Sequence, residues 1–190
     1  MPNKGIRCFI AISLPERMKQ ELKKAQVGLK AEKIHASWPA ASGFHLTLAF
    51  LGEVPADDIP LVKQAMDEAV AGCSGFALET GRLGAFPGPK KPRVIWAGIH
   101  GDMEPLYALH QRLHRLLKNA GFVLSGQRFS PHITLARVKR PISSDRLVHM
   151  FYPEKQKRPA SFRATSITLY KSCLTRSGAI HTRIHAAPFN

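Results

Sequence analysis

Apolar positions recur along the chain with two alternating periods. Residues 6–12, Ile-Arg-Cys-Phe-Ile-Ala-Ile, form a short apolar run that predicts a buried strand. Met18, Leu22, Ala25 and Leu29 then fall at helical spacing, which predicts an amphipathic helix over 15–31. Ser13, Pro15 and Glu16 supply helix-start chemistry: a serine cap, a proline in the first turn and a following acid. Residues 44–51 predict a second strand, and Ile59, Val62, Met66 and Val70 a second helix behind Asp57 and Asp58. Phe76 to Leu83 predicts a strand. Gly84 to Pro92 is so rich in glycine and proline that it predicts an irregular loop. A strand is expected at 94–99. A helix follows over 103–120, with Leu106, Leu109, Leu113 and Leu116 on one face and Gly121 as its stop. Ser130-Pro131 introduces a strand at 132–138. A short helix near 144–151 and strands near 162–171 and 180–186 complete the pattern.

The pattern repeats. Strand, helix and strand run from Phe9 to Phe50 and again from Trp96 to Ala136. Phe9 precedes His45 by the same interval that separates Trp96 from His132. The second strands read His45-Leu46-Thr47-Leu48 and His132-Ile133-Thr134-Leu135. Further strands begin at comparable distances, at Phe76 and Phe162. The spacing is too long for a solenoid repeat. It reads as one unit duplicated into two pseudo-equivalent lobes, with repeats at about 6–86 and 93–172 of a single domain spanning 1–190.

Side chains alternate across a strand. His45 and Thr47 therefore share one face, as do His132 and Thr134, while the leucines and Ile133 turn to a core. Two lobes related by pseudo-symmetry can present both His/Thr pairs to one groove. Imidazole titrates near neutrality, so one ring can accept a proton while the other donates. The threonine hydroxyls stand where they can hold an oxyanion such as phosphate. Such a set suits phosphodiester cleavage, and no metal is needed if the leaving oxygen is protonated.

Charge sharpens this picture. Of 190 residues, 28 are Lys or Arg and 13 are Asp or Glu, a formal net charge of +15. By successive stretches (1–50, 51–100, 101–150 and 151–190) the balance is +5, −1, +5 and +6, so no single basic tail carries it. Dense clusters stand at Arg137, Lys139 and Arg140, and at Lys155, Lys157 and Arg158. The surplus points to a polyanion, with nucleic acid ahead of anionic lipid. The 44% hydrophobic content excludes a disordered chain. No apolar run approaches a membrane span, and no leader is evident. Three widely spaced cysteines suggest reduced thiols and a cytoplasmic setting. Cys8 and Cys173 read as small core residues.

The two His-x-Thr-Leu motifs resemble those of the two-histidine phosphoesterase superfamily. Within it the chain resembles the RNA 2′,3′-cyclic phosphodiesterases, historically called 2′-5′ RNA ligases. The similarity includes Arg7-Cys8-Phe9-Ile10-Ala11-Ile12-Ser13-Leu14-Pro15, Ala49-Phe50-Leu51-Gly52-Glu53, Arg93-Val94-Ile95-Trp96-Ala97-Gly98 and Pro131. It implies a bilobal α+β fold, with antiparallel sheets lining a central cleft and helices packed outside. It also implies metal-independent, cofactor-free hydrolysis of a 2′,3′-cyclic phosphate end to a 2′-phosphate. Carried over, His132 is the general base, His45 the general acid, and Thr47 and Thr134 bind the phosphoryl oxygens. In the family an arginine just after the second motif helps bind phosphate or base, and here it would be Arg137. Strict alternation opposes that role, since position 137 has the wrong parity unless a bulge intervenes. The partners implied are RNA with 2′,3′-cyclic phosphate ends or cyclic nucleotides, met by a monomer with no membrane.

Phe86, Lys90, Lys91 and Arg93 form a candidate RNA clamp, because stacking and phosphate contacts act together on single strands. Trp38, Phe44 and Phe129 lie near the motifs, where each can stack or pack. His110 and His114 have metal-ligand spacing but no partner glutamate, and read as polar-face residues, as do His181 and His185. Two other functions remain open at this level. One is 2′-5′ ligation by the same site in reverse, and the other is non-catalytic binding of RNA ends.

Overall fold

The computed structural model describes residues 5–142, 151, 160–175 and 178–190. The order is β1 (Ile6–Ser13), α1 (Glu16–Ala31), β2 (Ala36–Ser37), β3 (His45–Val54), α2 (Ile59–Val70), β4 (Phe76–Phe86), β5 (Val94–Gly101), α3 (Met103–Asn119), β6 (His132–Val138), β7 (Ser161–Ala164), β8 (Ser166–Thr175) and β9 (Gly178–Pro188). The expected helix near 144–151 and the cluster Lys155, Lys157 and Arg158 lie outside the described residues, apart from the buried Phe151.

Two antiparallel sheets form the frame of this α+β fold, with strand orders β3-β1-β8-β9 and β2-β6-β5-β4-β7. The two stretches read as repeats pair alike: β1 with β3 in one sheet, and β5 with β6 in the other. A later strand on each side crosses over. β4 leaves the first repeat and pairs with β5, while β8 leaves the second and pairs with β1. Each sheet thus contains strands from both repeats, which ties the lobes together. The motif strands β3 and β6 come into contact at the seam between the sheets.

The apolar faces meet in one core. Ile10, Ile12, Leu46 and Leu48 of the first sheet and Ile95, Ile133 and Leu135 of the second are buried in it. The helices contribute Met18, Leu22 and Leu29 from α1, and Leu106, Leu109, Leu113 and Leu117 from α3. Leu117 takes the fully buried place expected of Leu116, which is only partly buried. Among the described residues no helix is long and apolar enough to cross a membrane.

Four local expectations are corrected. Ser13 does not cap α1. It is the last residue of β1, and its hydroxyl lies 2.7 Å from that of Tyr170, so β-pairing uses the serine instead. The 162–171 stretch is not one strand: the chain changes sheets at Thr165, giving β7 and β8. Residues 84–86 are not loop but the end of β4, paired to Trp96, Ile95 and Val94. Gly84 helps there, because a side chain at that position would collide with the Trp96 ring. Cys173 is exposed, unlike the buried Cys8.

Candidate active site

Both motif histidines are held the same way. His45 Nδ1 donates to the Gly43 carbonyl at 2.7 Å, and His132 Nδ1 donates to the Ser130 carbonyl at 2.7 Å. A carbonyl can only accept, so each Nδ1 carries the hydrogen and each neutral ring keeps its lone pair on Nε2. The partner in each case is two residues back, where the chain turns into the strand. Local sequence therefore fixes both tautomers.

Aromatic rings back both histidines. Phe9 stacks on His45 with centroids 4.6 Å apart. Its repeat equivalent, Trp96, lies 6.1 Å from His132, and Phe86 meets that ring edge-on at 5.0 Å. Phe86 is therefore part of the wall beside His132. Lys90, Lys91 and Arg93 are exposed. Lys90 and Lys91 occupy the turn after β4, whereas the backbone of Arg93 bonds to Phe86 and Val138.

Arg137 is placed by a bulge. Thr134 pairs with Trp96 and Ala136 with Ile95, leaving Leu135 as an extra residue in β6. Leu135 and Ala136 are consecutively buried, and alternation restarts one residue late. Arg137 therefore emerges on the side of His132 and Thr134, and its positive charge lowers the pKa of both histidines. The parity objection fails for this reason. β3 has the same defect: Thr47 pairs with Ala11 and Ala49 with Ile10, so Leu48 is extra. Leu48 and Ala49 are both buried, and Phe50, the repeat equivalent of Arg137, is 60% exposed. One groove thus receives a cation from β6 and an aromatic ring from β3.

The bulge carbonyls are satisfied from helices. Gln26 Nε2 of α1 donates to the Leu135 carbonyl at 3.0 Å. His114 Nε2 of α3 donates to the Leu48 carbonyl at 2.9 Å. His114 also lies against His110, which stacks on Phe129 at 3.9 Å. His114 is thus turned toward the sheet, against the polar-face expectation. Phe44 is buried, while Trp38 is partly buried under Lys30, whose Nζ is 5.5 Å from the ring.

Burial governs the electrostatics. Desolvation pushes His45 down to about 4, with smaller contributions from the charges of His181, Arg137 and His132, against its hydrogen bond to Gly43. His132 is lowered by the same cause, with Arg137 adding to it. An anion between the rings would reverse both tendencies. His181, unassigned by the sequence pattern, lies 5.4 Å from His45. In sequence its signals were a late strand and the four-residue spacing to His185, which gave no role in this cleft. Among the described residues, no three His, Cys, Asp or Glu side chains gather to hold a metal ion.

The chain is similar to known proteins in sequence and in fold. Residues 14–173 match the model of the 2′-5′ RNA ligase superfamily. A protein of Aeropyrum pernix named RNA 2′,3′-cyclic phosphodiesterase is 35% identical over 144 residues, 75% of this chain and 80% of its own length. One of the same name from Thermotoga maritima is 29% identical over 97% of this chain and 96% of its own length. Among solved structures, a Thermus thermophilus protein superposes with TM-score 0.78 at 25% identity, covering 97% of this chain and 98% of that one. E. coli LigT complexed with 3′-AMP superposes with TM-score 0.71 at 26% identity, covering the same shares. With its paired motifs, crossed sheets and whole-length relatives, the chain belongs to the 2′-5′ RNA ligase superfamily.

Proposed function

We propose that the protein hydrolyses RNA 2′,3′-cyclic phosphate ends to 2′-phosphates by two-histidine acid–base catalysis. The observation that carries this reading is the matched tautomer of His45 and His132, each presenting Nε2 with a threonine beside it. The names of the relatives and the 3′-AMP held by E. coli LigT agree with it.

In this mechanism Nε2 of His132 takes a proton from water as the water oxygen bonds to phosphorus. The bond from phosphorus to the ribose 3′ oxygen breaks. That oxygen takes a proton from Nε2 of His45, leaving the 2′-phosphate. The cycle ends with His132 protonated and His45 neutral, and exchange with solvent resets them. Thr47 and Thr134 donate to the phosphoryl oxygens, and Arg137 neutralises their charge. His45 must carry two protons to begin. Burial opposes this in the empty cleft, whereas the substrate's negative charge favours it. The net charge of +15 draws RNA to the cleft and makes binding weaken as salt rises.

The test is turnover of adenosine 2′,3′-cyclic phosphate, with the product assigned by phosphorus NMR. Accumulation of the 2′-phosphate supports the reading. Full activity in His45→Ala or His132→Ala would overturn it.

A further inference from the structure

One imidazole outside the reaction scheme stands where it can govern another. His110 of α3 lies between two rings. Phe129 is 3.9 Å away and 9° from parallel, and His114 is 3.9 Å away with planes 35° apart. Tyr107 meets Phe129 edge-on at 5.9 Å. We propose that His110 is a positioning residue for His132, acting through the Phe129 stack and the Ser130 carbonyl. The inference rests on the proposed reaction, in which His132 is the general base.

The two motif histidines share one kind of hydrogen bond but not one kind of support. Gly43, which accepts from His45, closes a tight turn at Ala41–Gly43. Its own N–H bonds to the Ala40 carbonyl at 2.9 Å, and the N–H of the buried Phe44 bonds to Ala41 at 3.1 Å. Ser130, which accepts from His132, is exposed and stands in no such turn. Residues 123–130 contain no helix or strand and make no backbone–backbone hydrogen bond among the described residues. Pro131 fixes one dihedral at the entry to β6. The direction of the peptide before it is left to side-chain packing, and the adjoining side chain is Phe129.

The other end of the stack is fixed. His114 Nε2 donates to the Leu48 carbonyl in the β3 bulge at 2.9 Å, and Leu109 and Leu113 hold α3 to the core. Three rings therefore tie the approach to β6 to the motif strand of the other repeat. Burial, then the charge of His114, pushes His110 down to about 4, so an uncharged ring fills the stack at neutral pH.

A general base must present its lone pair within hydrogen-bond reach of the water it activates. If the Ser130 carbonyl swings away, nothing holds the hydrogen of His132 on Nδ1, and Nε2 ceases to be a fixed acceptor. The threonines still hold phosphate. The loss then falls on the transition state and not on substrate binding.

The test compares His110→Ala, Phe129→Ala and His110→Phe, each well below its unfolding temperature. Phe129→Ala removes the stack from the loop side and serves if His110→Ala does not fold. Each alanine variant is expected to lower kcat on adenosine 2′,3′-cyclic phosphate about tenfold with KM near wild type. His110→Phe keeps a flat ring on Phe129 and should restore most of the loss. Nitrogen-15 NMR of the imidazoles supplies the readout that a general loss of stability would not move. In the alanine variants His132 should lose its exclusive Nδ1–H form, while His45, held by the Gly43 turn, should keep its own. Wild-type kcat in either alanine variant would overturn the proposal. So would a lowered kcat with the His132 tautomer intact, a tautomer change shared with His45, or failure of His110→Phe to restore activity. If the wild type shows no turnover, the functional reading fails, and the tautomer of His132 alone decides whether His110 positions it.

Discussion

The side chain of Gln26 donates to the Leu135 carbonyl at 3.0 Å and to the Pro39 carbonyl at 2.9 Å, from a residue only 3% exposed. Leu135 is the extra residue of the β6 bulge, so its carbonyl has left the regular ladder. A helix of one repeat thus braces the motif strand of the other. Gln26→Leu leaves two carbonyls unpaired beneath the site. The expected loss is about 1–3 kcal/mol of stability, read as a lower urea midpoint at unchanged slope. Activity should fall too, through weaker substrate binding, because the bulge sets the parity of Arg137.

The same bulge marks where the sequence was legible and where it was not. Periodicity located the motif strands and helices because each buries one regular face, as Met18, Leu22 and Leu29 do. The duplicated tetrapeptide singled out His45, Thr47, His132 and Thr134 as candidates because repetition is visible without coordinates. A bulge has no such signature: Leu135-Ala136 reads as ordinary strand, and only pairing with Trp96 and Ile95 exposes the extra residue. The crossing of β4 and β8 between sheets was equally hidden, since pairing partners are long-range. His181 reaches His45 only through that crossing, because β8 carries β9 into the first sheet.

Removing either imidazole should separate the two roles. His45→Ala and His132→Ala are each expected to lower kcat by about 10²–10⁴-fold while circular dichroism stays native. A leaving group that needs no proton distinguishes them. A substrate with sulfur in place of the 3′ oxygen should restore much of the activity of His45→Ala and little of that of His132→Ala. The opposite rescue would exchange acid and base.

Thr47→Val and Thr134→Val keep the strand shape and remove one hydroxyl each. A hydrogen bond to a charged phosphoryl oxygen contributes about 1.5–3 kcal/mol. Each variant should lose about 10- to 100-fold in kcat/KM, measured on adenosine 2′,3′-cyclic phosphate. Unchanged rates in both would remove the threonines from the reaction.

Arg137 disfavours the imidazolium form of both histidines. Arg137→Gln removes that positive charge, so both His45 and His132 should titrate at higher pH. Proton NMR of the imidazole Cε1–H signals reads this directly. The same variant should bind an oligonucleotide with a shallower salt dependence, since one phosphate-neutralising charge is gone.

Stability should fall on the acid side through these same groups. His45 and His110 are both lowered from 6.5 to about 4 in the folded protein, chiefly by burial. Between those values the unfolded chain binds protons that the native state refuses. Unfolding free energy therefore rises with pH across this window, and is lost as pH falls from 6.5 through about 4. His132 and His181, lowered by burial as well, act in the same direction. His110→Phe tests the sign without entering the cleft. The phenyl ring can keep the stack on Phe129, which is 3.9 Å from His110 and 9° from parallel. Urea midpoints measured from about pH 7 to about pH 4 should decline less steeply in this variant than in the wild type. An equal or steeper decline would show that His110 is not a source of the acid sensitivity.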